Sequence, residues 1–87
     1  MKTKTVQIEI PDEDAGGMYF NWTDGWEYES AFDNNEFIFS ANREGLLSLA
    51  NHLINLAQDK FPPGHHIHFD VGVELSEDSI PVVFVKR

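Results

Sequence analysis

The sequence predicts an α+β fold, a two-layer sandwich with one long amphipathic helix packed on one face of a mainly antiparallel sheet, in the order β-β-β-β-α-β-β. Three observations predict it: short segments alternate apolar and polar residues, one long segment repeats apolar residues at helical spacing, and Gly, Pro, Asn and Asp separate them. A broad apolar helix face needs a surface to cover it, and the other apolar segments are strand-like. The 87 residues form one domain, 1–87.

The first half of the chain predicts four antiparallel strands. Their alternating segments are residues 5–10, 18–22, 26–32 and 36–39. Asp24-Gly25 and Asn34-Asn35 separate the last three segments, and such dipeptides tolerate the positive φ angles of tight hairpin turns.

The helix is predicted within residues 40–64. Ser40 is expected to cap it, and Pro62, Pro63 and Gly64 are expected to end it. The apolar face, expected to be buried, comprises Leu46, Leu47, Leu49, Ala50, Leu53, Ile54, Leu56, Ala57 and Phe61. The opposite arc, expected to face water, comprises Glu44, Ser48, Asn51, Asn55, Gln58 and Asp59. His52 lies at the edge of the apolar arc and is expected to be solvated there.

Two more strands are predicted after the helix, at residues 65–71 and 80–86. Pro81 has no amide proton to donate, so it must lie at the start of the last strand or on an exposed edge.

The net charge of −9 bounds the class of partner. Nine of the fifteen acidic residues lie between Thr5 and Asn42, where there is no Lys or Arg. This disfavours nucleic acid and anionic membranes as partners, since both attract basic proteins. The chain has no cysteine, no apolar leader and no apolar run long enough to span a membrane, which favours a cytoplasmic protein.

One metal site is conceivable. His66, His68 and Asp70 alternate along a predicted strand, so their side chains share one face and could ligate Zn²⁺ or iron. The alternative is that they are simply the polar face of that strand. No nucleophile or phosphate-binding motif surrounds any serine or glycine, so neither an enzyme nor a cofactor is expected.

The first predicted hairpin combines aromatic and acidic side chains. Aromatic residues concentrate binding energy and charges accelerate encounter, so this region is the candidate site for a basic protein partner. Its residues are Trp22, Asp24, Trp26, Glu27, Glu29 and Asp33. The alternative is that the aromatic rings face the core and the acids face water.

Residues 37–86 resemble the Imm32-type immunity proteins of bacterial polymorphic toxin systems. The resemblance is carried by the run from Phe39 to Leu53, by Gly64-His-His-Ile-His-Phe-Asp70 and by the apolar last strand. It implies a small cytoplasmic protein that binds and blocks a cognate toxin and has no catalytic residues. The acidic composition suits a basic nuclease as that toxin.

Three hypotheses therefore stand. The first is an immunity protein that occludes a toxin, as a monomer or weak homodimer. The second is a small metal-binding domain using His66, His68 and Asp70. The third is a structural subunit that self-associates through an exposed sheet edge.

Overall fold

The computed structural model describes residues 1–12 and 18–87, which contain one helix and two antiparallel two-stranded sheets. The elements are β1 (Tyr28–Asp33), β2 (Glu36–Ala41), α1 (Arg43–Leu56), β3 (His66–Phe69) and β4 (Val82–Val85). The α+β class is confirmed. The predicted sandwich of seven elements is not, because residues 5–10 and 18–22 form no strand. No helix in the described part of the chain has the length and apolar character to cross a membrane.

The β1–β2 hairpin follows its local sequence closely. The strands pair from Tyr28 opposite Ala41 to Asp33 opposite Glu36. Asn34 and Asn35 form the turn with φ angles of 54° and 64°, which confirms the turn predicted there. Asp24-Gly25 also forms a turn, but it precedes a single strand and so does not close the predicted hairpin.

The β3–β4 hairpin lies against β1 through the connection between its strands. A parallel β-bridge joins Tyr28 to Leu75, and the hydroxyl of buried Ser30 donates to the carbonyl of Ile80 and accepts from its amide. Pro81 directly precedes β4, one of the two places predicted for it. Side-chain and backbone bonds thus hold the two hairpins together in place of a continuous sheet.

The core gathers where the two hairpins and the helix meet. The rings of Tyr28 and Phe69 stack with centroids 5.0 Å apart. The fully buried members of the cluster are Tyr28, Leu56, Ile67, Phe69, Leu75 and Val82. The partly buried rings of Trp22, Trp26, Phe39 and Phe84 pack against this cluster, and aromatic rings give a small domain much buried area for few residues.

The helix orientation is the reverse of the prediction. The face of α1 that is buried is largely polar and consists of Gly45, Ser48, Asn51, His52, Asn55 and Leu56. The apolar arc points outward instead, leaving Leu46, Leu47, Leu53 and Ile54 exposed. The prediction that this arc is buried is therefore wrong for most of its residues, although Leu56 and Phe61 are buried and Leu49 packs partly against the core.

Hydrogen bonds explain why a polar face can be buried. Asn51 and Asn55 donate their side-chain amides to the carbonyls of Glu9 and Tyr19, at 2.6 and 2.7 Å. The hydroxyl of Ser48 accepts from the amide of Thr23 at 2.8 Å. These bonds satisfy backbone groups that a sheet would otherwise satisfy, so the N-terminal segment packs on the helix without forming strands.

Both ends of the helix differ from the prediction. Asn42 is the N-cap, and its side chain accepts from the amide of Gly45 at 2.8 Å, whereas Ser40 lies within β2. The helix ends at Leu56, before the prolines. Lys86 donates its ammonium to the carbonyls of Gln58 and Phe61, which places a positive charge at the negative end of the helix dipole.

Gly45 permits the close approach of α1 to β1. A Cβ at this position would lie 2.8 Å from the carbonyl oxygen of Glu27 and 2.9 Å from a ring carbon of Tyr28. The hydroxyl of Tyr28 donates to the Gly45 carbonyl at 2.7 Å, and burial raises the Tyr28 pKa to about 12.

We expect Gly45→Ala to lower the free energy of unfolding by about 1–3 kcal/mol, because the methyl group collides with backbone. Urea denaturation measures the change. The sign is diagnostic, since Gly to Ala in an unobstructed helix stabilises by about 1 kcal/mol. Ala50→Gly, on the outward side of the same helix, is the control and should cost only that propensity difference. A more stable Gly45→Ala variant would contradict the close approach.

His52 is buried rather than solvated. Its ring is fully inaccessible, and its centroid lies 4.3 Å from that of Trp22 and 4.9 Å from that of Phe20. Neither ring nitrogen has a hydrogen-bond partner in the described part of the chain. The prediction of a solvated flank is therefore wrong. Burial lowers the pKa of His52 to about 4.

We expect this histidine to make the fold acid-sensitive. The ordinary pKa of histidine is about 6.5, so between pH 6.5 and 4 the unfolded chain binds a proton that the folded chain does not. The free energy of unfolding should fall by about 2 kcal/mol between pH 7 and 4.5 from this group alone. Urea denaturation of the wild type and of His52→Leu at both pH values isolates the effect. An equal loss in both proteins would contradict it.

Candidate functional site

An open groove of about 560 Å³ lies between the start of β1, the end of β2 and the turn after β3. Three glutamates are among its lining residues, Glu27, Glu29 and Glu74. The apolar side chains of Trp26 and Val73 lie beside them. An apolar wall with several acids is suited to a basic side chain whose aliphatic stem also needs contact.

Strand alternation positions Glu27, directly before β1, and Glu29, within β1. Tyr28 lies between Glu27 and Glu29 and is buried, whereas both glutamates are exposed. Asn42 fixes the backbone segment before β1. Its side-chain oxygen accepts from the Glu27 amide at 3.0 Å, and its side-chain nitrogen donates to the Gly25 carbonyl at 2.8 Å. One residue thus caps the helix and holds this side of the groove.

The two tryptophans are half-buried and support the groove from within. Their rings stack with centroids 4.2 Å apart, and both pack against the core cluster. Trp26 lines the groove, whereas Trp22 does not. Trp22 lies instead against the ring of His52. The structure therefore joins Trp22 to Trp26 but exposes neither completely.

The two remaining candidate residues, Asp24 and Asp33, lie before β1 and at its end. Asp24 lies in the turn with Gly25, and Asp33 ends β1 at the far tip of the hairpin. At about 3.3 Å per residue, Asp33 lies about 17 Å along the strand from Tyr28. The predicted set therefore divides into a groove group, Trp26 with Glu27 and Glu29, and a separate tip residue.

Few of the acids are neutralised locally. Within residues 1–12 and 18–87 the one ion pair joins Lys60 to Asp12, at 3.0 Å. Asp24, Glu27, Glu29 and Asp33 are exposed and lack such a pair in the described residues. Glu13 and Asp14, which belong to the same acidic segment of the sequence, lie outside the described residues. The carboxylates at the groove and tip therefore remain available to a cation from outside.

The histidines of β3 lie on the outer face of the second hairpin. The rings of His66 and His68 are 4.7 Å apart, and both residues are exposed, as is Asp70. The ring of His66 is hydrogen-bonded to the Gly64 carbonyl at 3.0 Å. In the part of the chain that the structure describes, no group of three or more His, Cys, Asp or Glu is placed to hold a metal ion. The metal hypothesis gains no support from this geometry.

Sequence reasoning missed one wall of the groove. Val73 and Glu74 come from the turn between β3 and β4, and Asp70 donates its amide to the Glu74 carboxylate at 2.8 Å. This turn reaches β1 through the bridge between Tyr28 and Leu75, a pairing 47 residues apart in sequence. No local signal marks such a pairing. Gly72 lies in this turn with a φ of 79°.

Comparison with known proteins gives one match. Residues 36–87 match the family described as immunity protein 32. The matched region begins with β2 and includes α1, β3 and β4, so it contains the Ser40–Asn42 side and the Val73–Ser76 side of the groove. Searches among curated proteins and among solved structures find no match.

Proposed function

The chain belongs to the immunity protein 32 family, and we propose that it binds a cognate toxin domain and blocks that domain by occlusion, without catalysing a reaction. The observation that carries the proposal beyond the family is the open groove in which Trp26 lies beside Glu27, Glu29 and Glu74. Its carboxylates form no ion pair within the described residues. A basic surface on the toxin would supply the missing charge.

Charge favours a basic toxin domain over other partners. A net charge of −9 repels nucleic acid and anionic lipid but attracts a protein that itself binds phosphate. Exposed acids around a binding site accelerate association by about 10–1,000-fold, and the acceleration falls with ionic strength. A nuclease toxin fits, because its Lys and Arg side chains would engage carboxylates in place of phosphates. We expect the protein to act in the cytoplasm, as a monomer or weak homodimer.

The groove is held rigid before any partner arrives. Asn42 fixes the backbone at Gly25 and Glu27, and the stack with Trp22 fixes the ring of Trp26. A pre-formed site loses less conformational entropy on binding, so a small contact area can still give high affinity. Trp26 therefore acts in the proposal as a fixed wall, and the glutamates supply selectivity for a cation.

The test takes the product of the reading frame beside this gene as the candidate toxin and measures its dissociation constant by calorimetry at low and at physiological salt. We expect a complex with the wild type, and a complex at least tenfold weaker with Glu27→Lys/Glu29→Lys, because the substitutions place like charges opposite the basic toxin. Co-expression should show the same order of protection against the toxin.

A matched control separates the groove from net charge. Glu9→Lys/Asp59→Lys changes the net charge equally at exposed positions that do not line the groove, and it should bind within about threefold of the wild type. Failure of the wild type to bind at low salt would overturn the proposed function. Equal weakening by both double variants would overturn the role of the groove.

A further inference from the structure

The tip of the β1–β2 hairpin exposes two aromatic rings that lie directly opposite each other. Phe32 pairs with Phe37 across the strands, and their exposed fractions are 66% and 50%. Strand alternation places both on the face that carries Tyr28, Ser30 and Phe39, the face that covers the core near the base of the hairpin. The apolar face of the hairpin thus continues beyond the core that it covers.

The turn holds this pair in a fixed geometry. Asn34 and Asn35 form a two-residue turn with both φ angles positive, the conformation that best matches the twist of paired strands. The Phe32–Phe37 pair is adjacent to the last pair before the turn. The exposed rings are therefore presented by a defined strand pair.

The same tip also carries a repulsive charge pair. Asp33 and Glu36 lie directly opposite each other, both are exposed, and neither forms an ion pair in the described residues. Like charges directly opposite on paired strands destabilise a sheet. In the free protein, exposed aromatic area and facing carboxylates are both unfavourable, and here they occupy the two strand pairs next to the turn.

We propose that the hairpin tip inserts into an apolar recess rimmed by Lys or Arg side chains on the toxin. This inference rests on the proposed function and adds the element that anchors the complex. The recess would bury Phe32 and Phe37, and the basic rim would relieve the repulsion between Asp33 and Glu36. Buried aromatic side chains surrounded by charge are the usual composition of binding hot spots.

Charge also selects the toxin over a second copy of this chain. Two copies meeting at their tips would bring four facing carboxylates together, and each copy carries a net charge of −9.

The tip and the groove lie on one hairpin, about 17 Å apart along β1. Strand alternation puts the groove glutamates and the Phe32–Phe37 pair on opposite faces of the hairpin, so a toxin that contacts both must enclose the hairpin tip.

The first test replaces the rings and measures binding to the same candidate toxin. We expect Phe32→Thr/Phe37→Thr to weaken the complex by about 30-fold or more, mainly through faster dissociation. The control is Val83→Thr/Val85→Thr on β4, where the exposed fractions are 46% and 56%. That control should bind within about threefold of the wild type, and circular dichroism should show both variants folded.

The second test uses the opposite effects of one charge on folding and on binding. Asp33→Lys converts the like-charge pair with Glu36 into an attractive one, so the melting temperature of the free protein should rise by about 2–5 °C. The same change faces the basic rim, so association with the toxin should slow at least tenfold at low salt.

The outcomes distinguish the inference from the function on which it rests. A wild type that forms no complex overturns both. A complex that is weakened by the groove variant but not by either tip variant overturns the hairpin-tip inference and leaves the proposed function standing. Equal weakening by the Phe32/Phe37 and Val83/Val85 variants also overturns it, because the loss would then not be specific to the tip.

Discussion

The structure depends on hydrogen bonds between the buried face of α1 and the backbone of the N-terminal segment. Asn51 and Asn55 bond to the carbonyls of Glu9 and Tyr19, and Ser48 bonds to the amide of Thr23. Because side chains on a helix satisfy these backbone groups, residues on the N-terminal side need no strand partners. These bonds offset part of the cost of burying Ser48, Asn51 and Asn55, since Asn51 Oδ1 is buried without a hydrogen-bond partner in the described residues. From this follow the absence of the first two predicted strands and the outward direction of the leucines.

The parts of the fold that local sequence determines were predictable, and the rest were not. The turn at Asn34-Asn35, the start of β2 at Glu36 and the position of Pro81 all follow from backbone preferences of neighbouring residues. Helical spacing likewise predicted α1, but periodicity shows only that two faces differ. The usual burial of the apolar face gave the wrong orientation, since the bonds that reverse it involve partners 25 to 42 residues away. The cap moved to Asn42 because β2 extends through Ser40.

The candidate site, like the fold, was predictable from the sequence only in part. Trp26, Glu27 and Glu29 were candidates because an aromatic and acidic cluster is visible in sequence, and the structure places all three at one groove. Glu74 and Val73 could not be found, because their place depends on a bridge to β1 that no local pattern encodes. The family match begins at Glu36, so β1 and its approach lie before the matched region. The proposed contacts of β1 are therefore built onto a scaffold that the matched region supplies.

The outward leucines of α1 give the surplus of acidic residues a second physical role. An exposed apolar stripe on α1 would pack against the same stripe on another molecule. It consists of Leu46, Leu47, Leu53 and Ile54. Mutual repulsion between copies of charge −9 opposes that contact in dilute buffer. Concentrated salt screens this repulsion. The carboxylates thus oppose aggregation of the protein. Its solubility therefore depends on the same ionic conditions that govern how fast it associates with a partner.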